Sequence, residues 1–134
     1  MLGIDWGAKR IGIAVSDQDG NFVFLRRAAP AAESLGSAAS CIAEIAKSEG
    51  ATGIVVGLPL RLDGTDSDTT KRVREFATEL ASATDIPIIL FDESLTSFEA
   101  AERTKDKSLL DSESARVLLE NFIAACRRKR VFNY

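Results

Sequence analysis

Three β-rich runs open the chain, and the links between them are too short for anything except antiparallel pairing. The runs fall at residues 1–5, 10–16 and 21–27, and they carry Ile4, Ile11, Ile13, Val15, Val23 and Leu25. The Gly7-Ala8-Lys9 link between the first two runs is short. The second, Ser16-Asp17-Gln18-Asp19-Gly20-Asn21, is dense in turn formers and predicts a hairpin. A parallel crossover needs a dozen or more residues. The three runs therefore form an antiparallel meander.

The pattern changes after Pro30, which is expected to break it. Leu35, Ala39, Ile42, Ile45 and Ala46 recur at helical spacing and predict a helix over 33–48, with Gly50 as its stop. Gly53-Ile54-Val55-Val56-Gly57-Leu58 is a short continuous apolar run, which suits a strand buried on both faces. A second helix, 67–82, carries Val73, Phe76, Ala77 and Leu80, and a further buried strand, 86–91, ends at Asp92-Glu93. Thr96-Ser97-Phe98-Glu99 has capping-box spacing and predicts a short helix. A polar loop over 104–108 follows. The last helix is expected to open near Asp111 and to present Ala115, Leu118, Leu119, Phe122, Ile123 and Cys126 on one stripe. A meander followed by two βα crossovers gives an α/β fold with a mixed five-stranded sheet, strand 1 beside strand 4, and helices on both faces. With 134 residues, one domain spanning 1–134 is the expectation.

Composition narrows the chemistry. The chain has no histidine, so Ser-His-Asp and Cys-His catalysis, His-ligated zinc and a His base are excluded. Two cysteines alone make no zinc site, and Cys41 and Cys126 are expected to be core thiols. No apolar run is long enough to span a membrane, so a cytoplasmic protein without membrane contact is expected. The formal net charge is -3. Any contact with nucleic acid must then come from local basic patches.

Sites in mixed α/β sheets gather at the carboxyl ends of the parallel strands. Asp5 ends strand 1, and Asp92 and Glu93 end strand 5. Asp111 is in phase with Ala115 and Leu118 on the last helix, so it faces the sheet as a helix cap, a ligand, or both. A carboxylate cluster without His or Cys is a hard oxygen site suited to Mg²⁺ or Mn²⁺. Two such ions can activate a water and stabilise the leaving oxygen in phosphodiester cleavage. The competing reading keeps Asp5-Trp6-Gly7 as a turn and Asp111 as a cap.

The motifs carry a resemblance. Gly3-Ile4-Asp5-Trp6-Gly7-Ala8-Lys9-Arg10-Ile11-Gly12-Ile13-Ala14-Val15-Ser16-Asp17 closely resembles the opening of the YqgF family, RNase-H-like proteins proposed to be Holliday junction resolvases. Val55-Val56-Gly57-Leu58-Pro59-Leu60 with Asp63-Gly64, Asp92-Glu93-Ser94-Leu95-Thr96-Ser97, and Asp111-Ser112-Glu113-Ser114-Ala115 resemble its second, third and fourth motifs, in family order. The resemblance implies an RNase-H-like fold and Asp5, Glu93 and Asp111 as an acidic triad. It implies metal-dependent cleavage of four-way DNA junctions or of the 5′ end of precursor 16S ribosomal RNA, with Mg²⁺ or Mn²⁺. One departure is Ser94, where the family usually carries Arg, a bidentate phosphate contact that Ser cannot reproduce.

Candidate phosphate contacts are Lys9, Arg10, Arg61, Arg103, Lys105 and Lys107, with Lys71, Arg72 and Arg74 toward the same edge. A solvated charged surface is the alternative for each, and Arg10 is preferred because it belongs to the first motif. Arg127-Arg128-Lys129-Arg130 lies roughly 24 Å along the helix from Asp111, so complementing the helix dipole is its simpler role, with peripheral nucleic-acid contact as the other. Asp17-Gln18-Asp19-Gly20 has the spacing that opens a calcium loop, but no helix precedes it and no Glu stands at the twelfth position. It is read as a turn. The rival readings are an actin-like or sugar-kinase ATPase, for which the chain lacks room, and a noncatalytic ribosome-associated RNA-binding factor on the same fold. Symmetric junction cutting would need two sites, hence a homodimer rather than a monomer.

Overall fold

The computed structural model describes residues 1–7, 9–31, 34–92 and 107–132, the last helix with its side chains from 112 to 127. Its elements are β1 (Leu2–Trp6), β2 (Arg10–Ser16), β3 (Val23–Pro30), α1 (Leu35–Ser48), β4 (Ile54–Leu58), α2 (Asp68–Ala83), β5 (Ile88–Asp92) and α3 (Lys107–Phe132). The sheet order is β3-β2-β1-β4-β5. β2 is antiparallel to both β1 and β3, as the short links require. β4 is parallel to β1, and β5 is parallel to β4. Both crossovers step the same way across the sheet, so a common handedness places α1 and α2 on one face.

Strand alternation sorts the core into two layers. Leu2, Ile4, Ile11, Ile13, Ile54, Val56 and Leu58 pack against Ile42 of α1 and Val73, Phe76 and Leu80 of α2. Ala14 and Val55, on the other face, pack against Ala115, Leu118 and Leu119 of α3. Gly3 lies under α3 as well. A Cβ there would stand 2.9 Å from Leu119 Cβ and 3.0 Å from the Ala115 carbonyl oxygen. The helix therefore rests on bare backbone at the middle of β1.

The helix ends are closed by local chemistry. The Ser34 hydroxyl accepts from Ser37 N at 3.1 Å and starts α1. Glu49 ends it, followed by Gly50 at φ +66°. Ser67 and Thr70 cap α2 reciprocally, and the buried Thr70 hydroxyl also donates to the Pro59 carbonyl at 2.5 Å. That bond ties the start of α2 to the loop after β4.

Several expectations are corrected. Pro30 does not break the pattern before the strand ends. It belongs to β3, an edge strand, where a missing N–H is tolerated. A register shift between Ile11 and Ile13 puts a bulge into the β2–β3 pairing. α3 begins at Lys107, not near Asp111. Asp111 therefore stands in the second turn of the helix and is not its cap. The expected 104–108 loop yields its last two residues to the helix. Cys41 and Cys126 are exposed, not core. The buried stripe of α1 runs through Ala38, Ala39, Ile42, Ala43 and Ala46 and passes Cys41 by, while fully buried side chains on α3 stop at Leu119. The short helix expected at Thr96 lies outside the described residues.

Two stability predictions follow from this packing. Gly3→Ala should cost about 1–3 kcal/mol through overpacking against α3, measured as a lower thermal midpoint. Thr70→Val should cost about 1–3 kcal/mol by leaving the Pro59 carbonyl without its donor, measured by urea unfolding.

Candidate functional site

Asp5 is the fourth residue of β1, on the same face as Gly3 and therefore under α3. Its register partner on β2 is Gly12. On the other side, Ile4 pairs with Val56, so Gly57 of β4 is the neighbour of Asp5. Gly3, Gly12 and Gly57 all lie on the α3 face. The carboxylate thus stands on a floor without side chains, half-buried at the carboxyl end of a central strand.

The direction of α3 follows from its contacts. Ala115 and Leu119 lie over Gly3, while Ile123 and Arg127 lie over Gly20, beyond the other end of β1. The helix therefore runs opposite to β1, and its first turns reach the end that carries Asp5. Asp111 is one turn before Ala115 in that segment. Its side chain lies outside the described residues.

At the next position, Ser112 is fully buried. Its hydroxyl accepts from Ile13 N at 3.3 Å and donates to the Arg26 carbonyl. Ile13 and Arg26 are register partners at the bulge between β2 and β3. The hydroxyl therefore fastens the start of α3 to the sheet through backbone groups of two strands. Sequence reasoning missed this. No local pattern sets it apart, since it stands among the polar residues Asp111, Glu113 and Ser114.

Asp92 and Asp5 fall on opposite faces. Phe91 pairs with Gly57 and packs edge-to-face on Phe122 of α3, with ring centroids 5.5 Å apart. Asp92 pairs with Leu58, on the α1/α2 face. Glu93, Ser94, Arg103 and Lys105 lie outside the described residues, as does the side chain of Lys107, the first residue of α3. Among the described residues, no three carboxylates or cysteines converge into a metal-holding group.

The cations divide by location. Lys9 occupies the β1–β2 link, exposed, its carbonyl accepting from Ala31 N at 3.0 Å. Arg10 opens β2, half-buried. Arg61 is exposed in a turn closed by its own N–H on Thr65 O, with Gly64 at φ +83°. Asp63 in that turn accepts from Thr65 N and Oγ1, and these bonds hold its carboxyl below the usual range. Neither Lys9 nor Arg61 has an ion-pair partner among the described residues. Arg74 does: its guanidinium is 2.8 Å from Asp66. Arg72 lies 4.0 Å from Glu75.

Arg127 belongs to the opposite end. It donates to Asp19 O and Asn21 Oδ1, pinning the hairpin to α3. Asp17 caps that hairpin by accepting from Asn21 N and Phe22 N, the work of a turn residue. A cavity of about 550 Å³ lies at this end, lined by Met1, Asp17, Glu49, Cys126 and Arg127 among others. It is separated from Asp5 by the length of β1 and contains none of the candidate acids.

Comparison with known proteins agrees with the fold and shows the family. A relative from Maridesulfovibrio salexigens, named as a candidate pre-16S rRNA nuclease, is 39% identical over 132 residues, covering 92% of this chain and 97% of the relative. A relative of the same name from Synechococcus elongatus is 35% identical, covering 98% of this chain and 93% of its own. Among solved structures, Thermus thermophilus RuvC in complex with a Holliday junction substrate superposes with a TM-score of 0.59 at 12% identity, over 93% of this chain and 94% of RuvC. That likeness shows the RNase-H-like fold. The profile of the family described as RuvX: Holliday junction resolvase matches residues 1–125, and the chain belongs to that family.

Proposed function

We propose that this chain is a metal-dependent endonuclease that hydrolyses phosphodiester bonds in structured nucleic acid, with Asp5, Glu93 and Asp111 as its metal-holding acids. The observation that carries the reading is Asp5 itself: an acid at the carboxyl end of a buried central strand, flanked by Gly12 and Gly57, under the first turns of α3. Such a floor contributes no side chain of its own beside the carboxylate, as an ion site built on backbone requires. β5 alternates with a period of two, Ile89 and Phe91 packing toward α3, and in our reading Glu93 would follow that alternation. The donor set is oxygen only, which suits Mg²⁺ or Mn²⁺. A bound divalent ion would supply Lewis-acid stabilisation and an activated water.

The protein's own part is positional and electrostatic. Asp5 would orient the ion against the scissile phosphate, and Asp111 and Glu93 would complete its ligands. Lys9, Arg10 and Arg61 would hold the phosphate backbone beside them. Arg103, Lys105 and Lys107 would extend that contact. The family's name and the relatives' names support two substrates, a four-way DNA junction and the 5′ end of precursor 16S rRNA. Two sites, and so a homodimer, would be needed for symmetric junction cutting.

Asp5→Asn should lower Mg²⁺- or Mn²⁺-supported cleavage by at least about 10³-fold, equivalent to about 4 kcal/mol in the barrier. The measurement is a side-by-side assay on a four-way DNA junction and a precursor rRNA end. Undiminished cutting by the variant defeats the assignment, and binding without cutting by the native chain favours the noncatalytic RNA-binding alternative. Replacing Lys9 or Arg61 by Ala should weaken nucleic-acid binding evenly across sequences and reduce the salt slope by about 1, read from a titration at several salt concentrations. An unchanged slope removes that residue from the interface.

A further inference from the structure

Ser112 is a polar side chain with no accessible surface, buried between α3 and the sheet. A helical serine ordinarily bonds a carbonyl of its own helix or faces solvent. This one reaches out of its helix to Ile13 N on β2 and the Arg26 carbonyl on β3. Along β2, Ile13 is the residue after Gly12, and Gly12 is the register partner of Asp5. The anchor thus lies one strand spacing, about 4.8 Å, and one residue, about 3.4 Å, from the backbone of Asp5. The residue before Ser112 is Asp111.

Two close contacts bear on where the first half of α3 sits. The Ala115 carbonyl rests against Gly3, and the Ser112 hydroxyl enters the bulge. With both in place, the height and phase of the turn carrying Asp111 are fixed. Without the hydroxyl, the apolar contacts of Leu118 and Leu119 still hold the helix on the sheet, but its first turns lose the bridge to Ile13 N and the Arg26 carbonyl.

We propose that Ser112 is a positioning residue, whose bridge between Ile13 and Arg26 holds Asp111 at the distance from Asp5 that a shared divalent ion requires. The proposal rests on the reading of Asp5 and Asp111 as metal-holding acids. Groups that orient metal ligands typically change metal affinity by 10- to 100-fold when removed.

The test is Mn²⁺ binding to the full chain by titration calorimetry without nucleic acid, paired with cleavage kinetics. Ser112→Ala should weaken Mn²⁺ binding by about 10- to 100-fold and lower kcat, leaving KM for the nucleic acid unchanged. Ile123→Ala, at the other end of the same helix, should lose stability and keep native Mn²⁺ affinity. Ser112→Thr, which retains the hydroxyl, should bind Mn²⁺ more tightly than Ser112→Ala. Native affinity in Ser112→Ala, an equal loss in Ile123→Ala, or a folded Ser112→Thr as weak as Ser112→Ala overturns the role of Ser112 and leaves the acids standing. A native chain that binds no Mn²⁺ overturns the metal reading and this inference with it.

Discussion

The approach of α3 to the middle of β1 is the constraint on which the rest of the molecule depends. β1 is a central strand that must be covered on both faces, and among the described residues the cover on one of them is α3. Leu2 and Ile4 fill the α1/α2 side with large side chains. On the α3 side, position 3 has none, and the Ala115 carbonyl and Leu119 occupy the place where a Cβ would be. Glycine in a strand costs conformational entropy, and here that cost permits contact between helix and strand backbones. The axis of α3 then carries Asp111 toward the end of β1 that holds Asp5 and sends Arg127 to the opposite end, where it fastens the hairpin.

A chain of net charge -3 can attract a polyanion only where its cations are not already spent on its own acids. The described ion pairs fall mainly on other surfaces. Arg26 is held by Glu49, which raises the arginine's affinity for its proton and lowers that of the carboxyl. Arg116 lies between Glu113 and Glu120. Arg74 is near the carboxyl edge but is paired with Asp66, whose carboxyl it holds below the usual range. Among the described residues, Lys9 and Arg61 carry no ion pair, on the loops that follow β1 and β4. On the proposed reading, these are the two cations a phosphate beside Asp5 would draw on.

The meander was legible because short links leave a strand only one way to turn. The boundaries of β2 were read to the residue for the same reason. Asp5 was legible from its place at a strand end, and the absence of histidine directed its chemistry toward a hard cation. Asp111 was misread as a helix start, since a cap depends on where the helix begins, and α3 begins a full turn earlier at Lys107. The cysteines were misread because helical spacing marks a stripe without giving its width or where the sheet beneath it ends. Ser112 was illegible in principle. Its partners are backbone groups 99 and 86 residues away, exposed to it by a bulge that no local pattern announces.

The pair Asp92-Glu93 shows how much a period of two decides. Adjacent acids look interchangeable in a sequence. The register with β4 settles the face of the first, Asp92, which closes β5. Phe91 opposite Gly57 commits the odd positions of β5 to the α3 layer, and Asp92 opposite Leu58 commits the even ones to the α1/α2 layer. For Asp92 to join Asp5, β5 would have to slip by one residue, and Ile89 and Phe91 would then leave the α3 layer they pack against. The apolar packing that stabilises the edge of the sheet therefore also holds Asp92 on the face away from Asp5. Asp5 is selected the same way: Leu2 and Ile4 are held in the opposite layer, so the acid at position 5 is held under α3.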